Sequence, residues 1–309
     1  MTSLLTNSAA MVALSTLNSI SMDLNESNNR VSTGLRIREA QDSAAYWAIA
    51  TTTRSDNDAM ASVKDALAIG RSTLDVTYAG LDAVRENLQT IKELIVSARQ
   101  PGVDRVNVQT QITGLQTDMT NKSNASVMNE QNFLAIADNA AENMTKAVVA
   151  GFTRSATGIS ISTIDLDISA VYLTDGNATP TGILDQDRTY GAATTALTAT
   201  ALSVDISALT DSADDLAILE HNITLIDTAL TEVITAQNNV GVNLARAETQ
   251  ETFVNALMDA NERAVGALID ANMEEESTKL RALQTQQQLA IESLSIANSS
   301  AQNVLSLFR

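Results

Sequence analysis

Two heptad seams, one on each side of a glycine-rich middle, restrict what this chain can fold into more than any other feature. Stepping alternately three and four residues from Met60 visits Val63, Leu67, Gly70, Leu74, Thr77, Leu81, Val84, Leu88, Ile91, Ile95 and Ala98; ten of those twelve positions are apolar. Apolar residues at a mean spacing of 3.5 mark the face of a long helix that packs on another helix. At 1.5 Å per residue the seam is about 60 Å long. Between Ala44 and Gln100 only Gly70 and Gly80 weaken the helix, each by about 1 kcal/mol relative to alanine. The same step from Leu216 passes through Leu219, Ile223, Ile226, Leu230, Val233, Gln237, Val240, Leu244, Ala247, Glu251 and Val254 to Met258, with eleven of thirteen apolar.

A seam of that length is buried only against one of comparable length. The two halves therefore pair, which brings the chain ends together and leaves the middle at the far end. "RQPGVDR" (99–105) ends the first long helix, and a shorter one follows with Val108, Ile112, Leu115 and Met119 on one face. Residues 131–151 read as helix or irregular helix–turn. Beyond them Gly158, Gly176, Pro180, Gly182 and Gly191 interrupt the chain, and Ile159/Ile161, Ile164/Leu166/Ile168 and Leu202/Val204/Ile206 alternate with polar residues at period two. That pattern predicts strands, with a bulge at the Ser162–Thr163 phase slip. The expected fold is mainly α: long N- and C-terminal helices paired as a coiled-coil-like bundle, with a small β-rich insertion in the middle. Three parts follow, 1–43 with 270–309, 44–150 with 208–269, and the insertion 151–207.

The ends have a character of their own. Ala10, Ala13, Leu17, Ile20, Leu24, Ser27 and Val31 form one stripe, and Asp23 and Glu26 are the only charged side chains before Arg30. A last seam starts one residue out of phase at Leu280 and continues through Leu283, Gln287, Ala290, Leu294, Ala297, Ala301, Val304 and Phe308; from Leu283 to Ser306 the single charge is Glu292. A helix on a monomer's surface normally carries charge on its solvent side. These helices carry Ser, Thr, Asn, Gln and Ala instead, which suits repeated packing against copies of the same chain, where unpaired buried charges are strongly unfavourable. An intramolecular helical hairpin with a bland surface satisfies the same pattern, so both readings stand on the residues alone.

Other chemistries find little support. With 37 acidic against 19 basic residues the net charge is −18, which disfavours nucleic acid and anionic membrane as partners. There is no cysteine, so disulfides, thiolate catalysis and cysteine zinc sites are excluded. No basic n-region precedes Arg30 and no run of about 18 apolar residues occurs, so export would not use a conventional cleaved signal and no bilayer span is expected. His221, the only histidine, stands beside Glu220 without a motif and reads as a surface residue. "DSADDL" (211–216) lacks the glycine and terminal glutamate of a calcium loop and reads as a helix cap. "EEES" (274–277) reads as a solvated face, Gly34 as a turn and Trp47 as an interface anchor. No enzyme activity, cofactor or metal is expected.

"RVSTGLRIREAQDSAAYWAIA" (30–50) resembles the N-terminal signature of bacterial flagellins, with Ser32, Thr33, Gly34, Arg36, Ile37, Ala40, Asp42, Ala44, Ala45, Ile49 and Ala50 in matching places. "NLQTIKELIVSA" (87–98) is similar to a second flagellin segment, and "LRALQTQQQLAIESLSIANSSAQNVLSLFR" (280–309) to the flagellin C-terminus. The resemblance covers about 1–150 and 210–309. Ser43, Tyr46 and Trp47 depart from the common pattern in the manner of alphaproteobacterial, rhizobial-type flagellins. It implies a secreted subunit of the extracellular flagellar filament, passed uncleaved through the flagellar type III export channel and used for swimming. Its partners would be copies of itself, alone or with sister flagellins, an export chaperone, the filament cap and hook-junction proteins. Leu17, Ile20, Leu24, Val31, Leu283, Leu294, Val304 and Phe308 would then lie in the filament's inner core. Leu74, Leu81, Leu88, Ile91, Ile223, Ile226, Leu230 and Leu244 would form the seam of the helical domain. Residues 29–50, including Ser32, Gly34, Arg36 and Asp42, correspond to the segment read by a plant immune receptor; Gln89, Glu93 and Leu94 match one read by an animal Toll-like receptor. The departures at 43, 46 and 47, and Thr90 where stimulatory members carry Arg, predict weak recognition by both. A hook–filament junction protein shares such termini and is the alternative, ahead of a secreted coiled-coil adhesin.

Overall fold

The computed structural model describes residues 7–137, 143–155, 157–177, 179–190 and 197–306, and of 190, 197 and 301–306 the backbone alone. Among them are five α-helices: α1 Ser8–Thr33, α2 Ala44–Ala98, α3 Arg105–Ala125, α4 Ala213–Ile269 and α5 Met273–Ser306. None is long and apolar enough to cross a membrane. The chain forms two compact units, residues 1–57 with 259–309 and residues 58–258. The boundaries between these units fall within α2 and α4.

In the larger unit the first seam behaves as a single buried face. Each position of the step from Met60 to Ala98 is buried except Gly70, which is half-buried. On α4, Leu219, Ile226, Leu230, Val233, Val240, Ala247 and Val254 are buried, and the six remaining positions of its step are half-buried. Leu81 and Ile91 of α2, Ile112 of α3 and Ile226 of α4 belong to one hydrophobic cluster. Asp104 caps α3 by accepting from the N–H groups of Val106 and Asn107. The buried Arg105 next to it donates to the carbonyls of Ala98 and Leu209 and, at 2.6 Å, to the Asp211 carboxylate, so the end of α2, the start of α3 and the approach to α4 are tied by one guanidinium.

The middle of the chain departs from the expected helix–turn over 131–151. Strands β1 (Val127–Met128) and β2 (Gln131–Asn132) pair antiparallel, β3 (Ala135–Ile136) pairs parallel with β6 (Thr174–Asp175), and β4 (Thr145–Ser155) pairs antiparallel with β5 (Gly158–Asp167). A further antiparallel pair joins β7 (Arg188–Tyr190) to β8 (Leu197–Ala199). Asn132 accounts for the break in helix. Its side-chain carbonyl accepts from Leu134 and Ala135 N–H, and its amide donates to Ser123 and Asn124 carbonyls at the close of α3, an alternative to helix that short polar side chains offer the backbone. The strand-bearing segment starts at Val127. Its Phe133, Leu134, Ile168, Leu173, Leu184, Val204 and Ile206 share the cluster that holds Leu81 and Ile91.

The bulge is on the strand facing the expected one. Val149 pairs with Thr163 and Gly151 with Ser162, which leaves Ala150 as the extra residue. Strand β5 keeps its alternation throughout: Ile164 and Leu166 point into the core, and Ile159 and Ile161 lie on the other, exposed face.

Candidate self-assembly surfaces

The smaller unit is built on α1 and α5. Asn7 caps α1 by accepting from Ala10 N–H, and its own amide donates to the Ala297 carbonyl at 3.0 Å. Near the other end of α1, the Ser27 hydroxyl donates to the Glu276 carboxylate at 2.9 Å. The two helices thus run antiparallel. Gly34 ends α1 in the left-handed region, φ 72°, with its N–H on the Arg30 carbonyl, a conformation that favours glycine. Arg36 N–H then donates to the Ile269 carbonyl at 2.7 Å and Ala271 N–H to the Gly34 carbonyl at 2.8 Å. These bonds stitch the turn after α1 to the break between α4 and α5, over a small core of Ile37, Ala50, Val265 and Ile269.

Of the inner-core candidates, Leu17, Ile20, Leu24 and Val31 are half-buried on α1; on α5 Leu283 is buried and Leu294 half-buried. Val304 lies in α5 with its side chain outside the described residues, and Phe308 is outside them altogether. Pairing leaves a second row open. Met11, Val12, Leu14 and Met22 of α1 and Leu289, Ile291 and Ile296 of α5 are exposed, Val12 at 67% and Leu289 at 65%. Between them stand Ser, Thr, Asn and Gln, and nothing among the described residues covers them. Exposed apolar side chains on helical stretches with almost no charge mark surfaces for another chain. This outer row is the feature that the heptad count passes over, because it follows only one stripe; its signal is the apolar residues off that stripe where a solvated helix would carry Lys or Glu.

The seam candidates of the larger unit lie inside it. Leu74, Leu81, Leu88, Ile91, Ile226 and Leu230 are in the main cluster, and Ile223 and Leu244 pack against it half-buried. What α2 and α4 present outward in this unit includes Ile69, Tyr78, Val96, Val242 and Phe253. Trp47, with Tyr46 and Ile49, is exposed on the α2 portion of the smaller unit. The two segments matched to immune receptors belong to different units. Ser32, Arg36 and Asp42 are exposed; Arg36 donates to the Leu268 carbonyl, and Asp42 accepts from Arg38 and Glu39 N–H, bonds that hold its carboxyl below the usual range. Gln89 and Glu93 are exposed one turn apart, and Leu94 is half-buried against the core.

His221 is half-buried on α4. Asp215 accepts from the Thr210 N–H at 2.8 Å and from its hydroxyl, and Asp211 is taken by Arg105, so the acidic run closes the helix start. Among the described residues no group of three or more His, Cys, Asp or Glu could hold a metal ion. "EEES" is not uniformly solvated: Glu274 and Glu275 are exposed, but Glu276 is 8% exposed, bonded to Ser27 and to Arg30.

The paired ends and the strand-bearing middle have counterparts in known proteins. Residues 4–147 match the family described as the bacterial flagellin N-terminal helical region, and residues 223–308 the bacterial flagellin C-terminal helical region. Flagellin C of Rhizobium meliloti (strain 1021) is 38% identical over 321 residues, and flagellin of Brucella melitensis biotype 1 is 37% identical over 310, each alignment covering 100% of both chains. A solved structure titled as a putative flagellar hook-associated protein from Vibrio parahaemolyticus superposes with a TM-score of 0.48 at 14% identity, covering 74% of this chain and 100% of that one, too distant a likeness to speak for that role. With both helical regions matched in order and full-length identity to rhizobial and Brucella proteins, the chain belongs to the bacterial flagellin family, of the alphaproteobacterial type.

Proposed function

We propose that this flagellin builds the flagellar filament through the outer apolar rows of α1 and α5. Copies would pack heterologously, a different patch on each side, so that the contact propagates as a helix and never closes into a ring. The observation that carries this is the exposure of Met11, Val12, Leu14, Leu289, Ile291 and Ile296 on the stretches 8–22 and 283–306, where Glu292 is the single charge. Burying such side chains is worth about 1.5–3 kcal/mol each when complete, and a neighbour's Ser, Asn and Gln can hydrogen-bond where charges could not be accommodated. In this reading residues 1–43 and 270–309 form the inner core, 44–150 and 208–269 the surrounding helical layer, and 151–207 the outermost part. The role is structural and not enzymatic. Export through the flagellar channel, a chaperone for the apolar ends, the filament cap and the hook-junction proteins belong to the same proposal, which membership of the family supports.

Removal of residues 283–309 tests it. The truncated chain should form no filaments by electron microscopy after seeding, while the helices of residues 58–258 keep their cooperative unfolding by circular dichroism. Filaments of normal length from the truncated chain would refute the assignment. A chromosomal deletion separates the junction reading: loss of a junction protein leaves hooks bare, whereas loss of one flagellin among sisters shortens filaments.

A further inference from the structure

Rows of Ala, Ser, Gln and Leu hold register poorly, since a helix of that composition fits its neighbour nearly as well one heptad along. Two polar ties align α1 with α5, one to a backbone carbonyl and one between side chains. Asn7 reaches Ala297 and Ser27 reaches Glu276; the spans between them are 20 residues on α1 and 21 on α5, the match expected of one antiparallel pair about 30 Å long. The second tie is the charged one. Glu276 and Ser27 are both buried. One carboxylate oxygen accepts from the Ser27 hydroxyl at 2.9 Å and the other from Arg30 at 3.2 Å, while the second Arg30 nitrogen bonds Glu26. Burial pushes this carboxyl up, but the bonds from Ser27 and Arg30 outweigh it and the net shift is downward, helped by the charges of Lys279 and Arg30.

We propose that Ser27, Arg30 and Glu276 are the register-determining residues of the terminal-helix pair. Sliding α5 by one heptad in one direction moves Glu276 from between Ser27 and Arg30 to between Ile20 and Asp23. There a buried carboxylate meets an apolar side chain and a like charge, an arrangement that is strongly disfavoured. Sliding it the other way carries Glu276 to Gly34 and Ile37, beyond the end of α1 at Thr33. Single buried polar residues that select coiled-coil register act in the same manner. The inference deepens the assembly reading, because a filament needs every subunit to present the same outer row, yet register itself is a property of one chain.

The chain has no cysteine, so introduced pairs report register cleanly in the full-length protein. In the native register Leu283 faces Ile20; one heptad out it faces Ala13. Ile20→Cys with Leu283→Cys, and Ala13→Cys with Leu283→Cys, are each equilibrated in a glutathione buffer as monomer and as seeded filament, and closure is measured by mass spectrometry. The native pair should dominate. Adding Glu276→Leu should raise the slipped-to-native ratio by about tenfold or more, the order expected from losing charge-assisted hydrogen bonds. Exchanging the charges, Arg30→Glu with Glu276→Arg, should restore the native pair. An unchanged ratio in Glu276→Leu overturns the proposal. If that variant closes neither disulfide, the exchange variant decides: restored native closure supports the proposal and continued failure overturns it. A chain that keeps the native ratio and yet never polymerises refutes the assembly reading instead.

Discussion

Helix propensity and packing make opposite predictions for Gly70→Ala. In the middle of a 55-residue helix, alanine for glycine should stabilise by about 1 kcal/mol. A Cβ placed on Gly70, however, would sit 2.2 Å from Val148 Cγ1, 3.0 Å from Cγ2 and 3.1 Å from Cβ. Val148 is buried on β4, pairs with Ile164, and shares a small cluster with Leu67, Ala150, Ile164 and Ala247. Its β-branched side chain has little rotamer freedom, and rotation would not relieve the contact to its Cβ. The strand or the helix must move. Overpacking of this kind costs about 1–3 kcal/mol; from the upper part of that range the propensity gain of about 1 kcal/mol is subtracted, which leaves a net loss of roughly 1–2 kcal/mol. At about 2–4 °C per kcal/mol for a domain of some 200 residues, the melting temperature should fall by roughly 2–8 °C. Gly114→Ala on α3 is the control, because nothing lies within 4 Å of its Cβ, and it should stabilise by about 0.4–1 kcal/mol. Both are read from thermal unfolding of the full chain by helical circular dichroism, with urea titration as a check. If Gly70→Ala raises the melting temperature as Gly114→Ala does, the close approach of β4 to α2 is wrong.

Asp185 gives a pH-dependent test. One of its oxygens accepts the Asp175 N–H at 2.7 Å, while the other is buried without a partner of normal geometry among the described residues. Burial first, and then the Asp175 charge, push its carboxyl up. Because its folded value lies above the unfolded value of about 3.9, the group favours the fold fully below about pH 4 and loses that contribution as pH rises through the folded value. Asp185→Asn should therefore melt higher than the parent at pH 7, with the gap closing towards pH 4; a gap independent of pH would contradict this. For the immune segments, purified monomer should stimulate cells bearing the Toll-like receptor or the plant receptor weakly, and Thr90→Arg should raise the former response. Potent stimulation by the unmodified chain would contradict that expectation.

The long helices were legible because a 3.5-residue apolar period sustained over about 60 Å has few other physical solutions. The burial of Leu67, Leu74, Leu81, Leu88 and Ile95 at 7-residue intervals follows that period directly. Periodicity was less useful where tertiary contacts choose the conformation. Strands of two residues carry no period, and Asn132 writes the path from α3 into β3 with four side-chain hydrogen bonds that no spacing rule anticipates. On β5 both faces hold isoleucines, so alternation was visible but the choice of inward face was not: Ile164 is 5% exposed and Ile161 is 62% exposed.

Glu276 is a different case, because the signal was present and was outweighed by its neighbours. Three consecutive glutamates suggest a solvated face. Yet the α5 seam that begins Leu280, Leu283, Gln287 extends backward by four residues to Glu276, and the α1 stripe already includes Ser27. A carboxylate at a buried seam position is unfavourable unless something specific receives it. The hydroxyl of Ser27 and the guanidinium of Arg30, a single turn apart on the facing helix, are that receiver. A charge on the inner stripe of a helix thus points to its partner, and in these terminal helices the partner sets the alignment on which the outer apolar row depends.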